Sequence, residues 1–231
     1  MTYYFGFLPS SELRQTIDTA YALIAKQSSN HDNVPERYDI YRDKITHLTN
    51  KELLDVMLVK LIESLPDDSE RKAHLIKVSH TIETTTDKLI NTVLSPAKNS
   101  QVLPSFEFFD KQVLCTDPTG QRRIGVPLDD KLATELLACM ARVQQGLGKA
   151  EVNNLTRLFT QLAHASLEHF LVDFTKTLSL NMLKRTAIPV ADGVIKKVLE
   201  VALHRLIPQM PQESLERFTK YYQPLIFQSQ N

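Results

Sequence analysis

Two residues four positions apart, His169 and Asp173, form the pair most suited to acid–base chemistry in this sequence. Residues at i and i+4 lie on the same face of a helix, so the carboxylate can contact one imidazole nitrogen and raise the basicity of the other. That arrangement is half of a general-base pair. Because the sequence offers no identifiable nucleophile or third ligand, it more simply predicts a hydrogen-bonded histidine that packs between helices or lines a partly solvated groove.

The same segment predicts a small binding site. Within residues 151–185, one apolar face becomes polar halfway along, while a second apolar stripe begins on the neighbouring side. The candidate ligand-binding residues are Phe159, Ser166, His169, Phe170, Asp173 and Phe174. The three phenylalanines would form the walls and His169 with Asp173 the polar end. The expected ligand is an apolar or amphipathic small molecule or a lipid.

A second histidine of this segment follows an arginine at a functionally suggestive distance. Arg157 precedes His164 by seven residues. This spacing resembles that of HEPN-type helical ribonucleases, in which such a pair on one helix serves RNA cleavage. The family usually has a small polar residue where Leu158 stands here, so the resemblance is confined to the two polar residues. It implies a hydrolase or HEPN-like ribonuclease using His164 or His169 as one alternative function.

Basic residues of the C-terminal third predict a patch for an anion or an acidic partner. They are Lys184, Arg185, Lys196, Lys197 and Arg205, together with His204. No aromatic residue able to stack on bases lies among them, so nucleic acid is not an expected partner. The simpler interpretation is the polar face of two helices that flank a turn at residues 186–193, because cations also suit the C-terminal end of a helix dipole.

The sequence predicts neither a metal nor a cofactor. Its two cysteines, Cys115 and Cys139, form no CxxC motif and have no histidine at zinc-ligand spacing, so we expect free, buried thiols. The Gly146-Leu147-Gly148-Lys149 run lacks the first glycine and the Ser or Thr of a phosphate-binding loop, and it is typical of a helix end.

Composition predicts a soluble, cytoplasmic globular protein. Lys and Arg balance Asp and Glu at 27 each, so no net field attracts nucleic acid or an anionic membrane. No apolar stretch is long enough for a membrane span. Residues 1–10 lack the features of a secretory signal, which favours a cytoplasmic location.

Apolar residues at three- and four-residue spacing predict a mainly α protein, an irregular bundle of about seven helices with one small β-hairpin. The predicted helices span residues 10–26, 49–65, 70–94, 130–147, 151–185, 194–207 and 212–222. The second is predicted to start at a capping box, Thr49 to Glu52, and to stop at residues 66–69. Residues 27–48 are predicted as a polar connection, within which the apolar side chains of Tyr38, Ile40, Tyr41 and Ile45 could support a short helix or a packed loop. The fifth is predicted to be one continuous rod of about 50 Å, closed by Pro189.

The hairpin is predicted to form between residues 106–115 and 121–126 around a turn at residues 117–120, and to pair with residues 3–7. It divides an N-terminal helical half (1–100) from a C-terminal helical half (130–231), with 101–129 as the connection, unless the chain is one single domain.

The leading functional prediction is a non-enzymatic intracellular interaction or regulatory protein that acts through amphipathic helical surfaces. Helices at 131–147 and 151–185 carry more apolar surface than a hairpin can cover, so a protein partner or a homo-oligomer is expected. The alternatives are a helical-bundle binder of an apolar small molecule or lipid, and the hydrolase or HEPN-like ribonuclease described above.

Overall fold

Helices and one small antiparallel sheet account for most of the residues that the structure describes. A computed structural model describes residues 2–27, 31–63 and 70–229. The helices are α1 (Ser11–Ala25), α2 (Tyr38–Leu54), α3 (Lys60–Glu63), α4 (Glu70–Val93), α5 (Asn99–Phe108), α6 (Asp130–Arg142), α7 (Gly148–Leu167), α8 (Phe174–Lys176), α9 (Met182–Leu206) and α10 (Gln212–Tyr222). The predicted mainly α fold with a small β element is confirmed. None of the described helices is both long and apolar enough to cross a bilayer.

Wider π-helical turns extend several of these helices. Those in the described ranges are Asp55–Val59, Phe109–Val113, Val143–Leu147 and Glu168–Asp173. Short 3₁₀ turns are His31–Asn33, Ile207–Gln209 and Gln223–Leu225. Gly146 has a φ of 90°, a left-handed conformation that glycine adopts without steric cost, and it separates α6 from α7 as the sequence predicts.

Two helix starts follow directly from local side chains. The Ser10 hydroxyl accepts a hydrogen bond from the Leu13 N–H at 3.2 Å, and α1 begins at the next residue. The Asp129 carboxylate accepts from the N–H groups of Lys131 and Leu132 at the start of α6. Both caps satisfy backbone donors that the first helical turn leaves without partners. The sequence allows Ser10 or Ser11 for the first cap and Asp129 or Asp130 for the second, and the structure has the earlier residue in each case.

The predicted start of the second helix at Thr49 is wrong. α2 begins at Tyr38, whose N–H donates to Asn99 Oδ1 at 2.9 Å, so residues 38–48 are helical and not part of a connection. Glu52 accepts from the backbone N–H and the hydroxyl of Ser10, at 2.9 and 2.5 Å. The carboxylate of the predicted box therefore caps α1 and not its own helix. The predicted stop at residues 66–69 lies outside the described residues.

The predicted rod over residues 151–185 is wrong at its C-terminal end. α7, the π turn Glu168–Asp173 and α8 follow one another up to Lys176. A new helix then starts at Met182, capped by Asn181 Oδ1, which accepts from the Lys184 N–H at 3.0 Å. α9 continues through Pro189 to Leu206, so the helix predicted for 194–207 is its second half. The cap at Asn181 sets the start of α9. Pro189 lacks the N–H of one backbone hydrogen bond, and α9 continues through it without that bond.

The sheet brings together three distant parts of the chain. Its strands are β1 (Tyr3–Phe7), β2 (Leu114–Thr116), β3 (Arg122–Leu128) and β4 (Ile226–Gln228), in the order β2-β3-β1-β4. The predicted pairing of residues 3–7 with the hairpin is confirmed, with Phe5 opposite Val126. The first predicted strand is wrong over residues 106–113, which are helical. β4 is not predicted from the sequence.

The hairpin turn is held by the side chain of Asp117. Its carboxylate accepts four hydrogen bonds, from the Thr119 N–H, the Thr119 hydroxyl, the Gln121 N–H and Arg123 Nε. Gly120 closes the turn with a φ of 83°, and its N–H donates to the Asp117 carbonyl at 2.9 Å. Although burial acts in the opposite direction, these donors together hold the pKa of Asp117 well below its usual value.

Tyr222, at the end of α10, connects this helix to α2. Its hydroxyl donates toward the carbonyl oxygens of Val56 and Met57, at 2.8 and 3.0 Å, in the π turn that follows α2. The side chain is 1% exposed and packs against Phe159 and Phe218. Helices from the two predicted halves also pack on each other, as α4 does on α9. The division into halves stays a prediction.

We expect Asp117→Asn to lower the free energy of unfolding by about 2 kcal/mol at neutral pH, because the charged acceptor of the turn is lost. The lowered pKa means that the native state keeps the charged form, so this stabilisation is present above the ordinary pKa of aspartate and is lost as the pH falls below it. Urea unfolding at a series of pH values measures the difference, which should shrink on acidification. Asp110→Asn, at an exposed carboxylate, is the control and should cost less than about 0.5 kcal/mol.

Candidate functional site

A cavity of about 70 Å³ lies between α2, α4, the segment from α5 through its π turn, and the segment from α7 through α8. Its apolar walls are Leu53, Leu54, Ile90, Val93, Phe108, Phe109, Val113, Leu167, Phe170, Leu171 and Phe174. Thr46, Thr49, Asn50, Thr86 and Thr175 complete the lining. No charged residue is among the described residues that line it.

Two π-helical turns supply part of the cavity wall. Phe109 and Val113 bound the turn after α5, and Phe170 and Leu171 lie within the turn after α7. A π turn contains more residues than a regular helical turn and therefore changes the direction of the side chains that follow it. Such turns occur often at functional sites, and here they face the same cavity.

His169 links these two turns. Its Nε2–H donates to the Gln112 carbonyl oxygen at 3.0 Å, which fixes a proton on Nε2. Nδ1 lies 4.0 Å from Asp173 Oδ2, too far for a hydrogen bond, and Asp173 instead accepts from Lys176 Nζ at 2.6 Å. The imidazole is 6% exposed and packs between the rings of Phe108 and Phe170. This is the hydrogen-bonded packing role that the sequence also indicates.

The predicted ligand-binding residues do not all lie together. Phe170 and Phe174 line the cavity, as the sequence-based hypothesis requires. Phe159 instead packs on Phe218 in the aromatic cluster with Tyr222, at a centroid distance of 4.5 Å. The Ser166 hydroxyl donates to the Leu162 carbonyl of its own helix. Ser166, His169 and Asp173 are absent from the described lining, so the polar end of the cavity is formed by other residues.

Two polar residues of the lining, Thr49 and Asn50, stand out because the sequence assigns them only to a helix start. Thr49 Oγ1 and Asn50 Nδ2 are buried, and neither has a hydrogen-bond partner among the described residues. A buried donor without a partner costs about 1–3 kcal/mol. The sequence places them one turn before the apolar run that begins at Leu53, but no residue pattern reveals that their polar groups lack partners.

Arg157 and His164 have different surroundings. Arg157 is half exposed and donates to Glu135, Asn154 and Gln161. His164 Nε2 is buried and has no hydrogen-bond partner in the described part of the chain. Across those same residues no hydrogen bond joins the two side chains, so the structure adds no contact to the spacing on which the ribonuclease resemblance rests.

The residues of the predicted basic patch lie on α9, and they differ in whether a carboxylate or a backbone carbonyl lies beside their charged groups. Lys196 Nζ lies 2.8 Å from Asp192 and 3.1 Å from Glu168, which cancels its charge locally. Lys184 Nζ donates to the Val93 carbonyl and Arg185 Nε to the Leu180 carbonyl. Lys197 and Arg205 are exposed, and the Lys197 ammonium lies 3.8 Å from Glu200.

The same helix exposes large apolar side chains. Met182 is 82% exposed, Leu183 81%, Val190 69% and Val194 47%. Leu183, Val190 and Val194 are separated by seven and four residues, which places them on one face of α9. Its opposite face is buried through residues such as Ile195 and Leu199. α9 is therefore apolar on two sides, and only one of them is covered.

Neither cysteine contributes to a reactive site. Cys115 and Cys139 are free and buried, as predicted. Burial, with smaller effects of neighbouring carboxylates, raises the pKa of each thiol to about 12, which keeps both protonated at neutral pH. Within the described ranges, no group of three or more His, Cys, Asp and Glu side chains is placed to hold a metal ion.

Comparisons with known proteins add no functional residue to this geometry. Comparison of the chain with protein-family models, with curated proteins and with solved structures finds no match. The candidate sites are consequently the cavity and the exposed face of α9.

Burial lowers the pKa of His169, against the opposing effects of the Gln112 hydrogen bond and the Asp173 charge. The unfolded chain then binds a proton more readily than the native protein, so His169 should lower the free energy of unfolding as the pH falls through about 6.5. His169→Gln keeps an amide donor for Gln112 and cannot titrate. Urea unfolding at about pH 7.5 and about pH 5 should show a smaller loss of stability for this variant than for the wild type.

The control for this comparison is His80→Gln, since the His80 side chain is 80% exposed. It should retain the pH dependence of the wild type. Equal pH dependence of His169→Gln and wild type would contradict the assignment.

Proposed function

We propose that this protein binds, without converting it, a small and mainly apolar ligand in the cavity between α2, α4, α5 and α7. The observation that carries the proposal is the apolar cavity itself, whose lining also contains two buried polar atoms that have no hydrogen-bond partner among the described residues. Ligand sites have this composition, apolar walls with a few polar groups that orient the ligand. The cytoplasmic location predicted from the sequence belongs to the same proposal.

The energetic cost of the cavity supports a binding role. Unfilled cavity volume costs about 24 cal/mol per Å³, so about 70 Å³ corresponds to about 2 kcal/mol. The unpaired donors add to that cost. The free energy of unfolding of native proteins is only about 5–15 kcal/mol, so the cost of the unfilled cavity is a substantial fraction of it unless a bound ligand offsets that cost. A ligand that occupies the cavity would stabilise the native state by mass action.

Filling the cavity from within provides a direct test. We expect Val113→Leu to raise the free energy of unfolding by about 0.5–1 kcal/mol, because the added methylene enters free volume, and to weaken the binding of xenon, a purely apolar probe. Xenon binding can be followed by NMR under gas pressure, with urea unfolding as the measure of stability.

Val102→Leu is the matched control for this test. Val102 is fully buried but does not line the cavity, so the same substitution should overpack the core, cost about 1–3 kcal/mol and leave xenon binding unchanged. No xenon binding to the wild-type protein, or equal effects of the two variants, would contradict the proposed function.

The exposed face of α9 favours a second function, the protein–protein interaction that the sequence leads us to expect. A contiguous exposed apolar stripe on one helix is typical of an interaction surface. Lys197 and Arg205 are exposed on the side of α9 that carries this stripe, so an acidic partner complements this surface. A second copy of this chain would present the same cations. We therefore assign this face to an amphipathic helix of another protein with acidic residues flanking its apolar stripe.

Photo-cross-linking from Thr186, which is exposed next to Leu183, followed by mass spectrometry, tests this assignment. The cross-linked peptide should come from an amphipathic helix with acidic flanks. Leu183→Ser combined with Val190→Ser should abolish the cross-link while each change alters the free energy of unfolding by less than about 0.5 kcal/mol. Ile40→Ser with Ile76→Ser, at exposed apolar residues of other helices, is the control. A cross-link to a second copy of this chain or to a basic segment would contradict the assignment.

A further inference from the structure

We infer that the cavity selects a neutral molecule carrying one hydrogen-bond acceptor, such as a carbonyl oxygen, which Thr49 and Asn50 recognise. This inference rests on the proposed function and names the chemical class of its ligand. Thr49 is 5% exposed, and both residues line the cavity. Their unpaired atoms belong to consecutive residues of α2.

The unpaired state of Thr49 is unusual for a threonine of this protein. The other threonines of the lining all donate to carbonyl groups of their own helical segments: Thr46 to Arg42, Thr86 to Ile82 and Thr175 to Val172. The same pattern holds outside the cavity, as for Thr16, which donates to Glu12. Helical threonines commonly satisfy their hydroxyl groups in this way. Thr49 is therefore the one threonine of the described lining whose hydroxyl has no hydrogen-bond partner.

The chemistry of the two groups determines what the ligand must offer. An amide nitrogen such as Asn50 Nδ2 can only donate, and a threonine hydroxyl can donate as well. Two buried donors require an acceptor, which a hydrocarbon does not provide. An oxygen with two lone pairs, as in a ketone, an ester or an amide, meets this requirement.

The absence of charge in the lining makes the ligand neutral. No Lys, Arg or His belongs to the described lining, so a carboxylate or phosphate would lose its hydration without gaining an opposite charge. Two cations lie close to the lining: Lys184 Nζ donates to the carbonyl of Val93 at 3.4 Å, and Arg42 lines a small cleft that shares Thr46, Phe109 and Phe174 with the cavity. Arg42 has partners of its own. It already donates to Asp43 at 2.7 Å and to the Ser95 carbonyl at 2.9 Å.

The volume limits the ligand to a few non-hydrogen atoms. An apolar cavity of about 150 Å³ accommodates benzene, and the present cavity has about half that volume. About three to five non-hydrogen atoms therefore fit. Acetone, isobutene and acetate have nearly the same shape and fall in this range. They differ in offering a neutral acceptor, no acceptor and a charged acceptor, respectively.

NMR titration of the full chain with these three probes tests the inference. Acetone should bind at least about tenfold more tightly than isobutene after correction for the water solubility of the hydrocarbon, and acetate should not bind. Thr49→Val preserves the shape of the side chain and removes the hydroxyl. It should weaken acetone binding about fivefold to tenfold, leave isobutene binding unchanged and raise the melting temperature, because an unpaired buried donor disappears.

Thr86→Val is the matched control, since Thr86 also lines the cavity but its hydroxyl donates to the Ile82 carbonyl. It should leave acetone binding unchanged and should not raise the melting temperature. The inference is overturned if isobutene binds as well as acetone, if acetate binds, or if Thr49→Val affects acetone no more than Thr86→Val does. In each of those cases the proposed function would still stand if xenon binds to the wild-type protein. If xenon does not bind, both the proposed function and this inference are contradicted.

A crystal structure of the protein soaked in acetone provides an independent readout. The inference predicts the acetone oxygen within hydrogen-bond distance of Thr49 Oγ1 or Asn50 Nδ2. An ordered water on these two atoms that acetone does not displace would overturn it, because the donors would then have a permanent partner.

Discussion

The hydrogen bond from His169 to the Gln112 carbonyl is the interaction on which the arrangement of the cavity depends. Gln112 lies at the end of a π turn, where the chain leaves its helix for β2, so its carbonyl oxygen has no later helical N–H to accept. The imidazole supplies the donor from the opposite wall. Burial and the flanking rings of Phe108 and Phe170 leave His169 little freedom, so this bond holds together the two π turns that supply part of the cavity wall.

The local signals of the sequence were sufficient where one side chain decides the outcome. Ser10 and Asp129 begin helices because each satisfies N–H groups a few residues away, and no distant residue needs to be known. The same logic fails at Thr49, because the predicted partner, Glu52, caps a different helix, and at Pro189, because tertiary packing of α9 carries the helix through it. The role of Glu52 depends on Ser10, 42 residues earlier in the chain, and the continuation of α9 through Pro189 depends on the residues that pack against this helix.

The candidate site was accessible from the sequence only in part. Phe170 and Phe174 follow from the second apolar stripe of their segment. Phe159 lies earlier, within α7, where it packs on Phe218 and Tyr222 of α10, a helix that the residue spacing of this segment cannot place beside it. Thr49 and Asn50 could not be identified in this way. A helical threonine normally donates to its own helix, and whether it does so is a property of the folded backbone that residue spacing does not encode.

Tyr222 connects the small sheet to the cavity wall formed by α2. Its hydroxyl is bound to the π turn directly after α2, the helix that carries Thr49 and Asn50, and its backbone leads through a short 3₁₀ turn into β4. A displacement of α2 must either break that bond or carry α10 and the last strand with it. The pairing of β4 with β1 therefore opposes displacement of α2, the helix that forms one wall of the cavity.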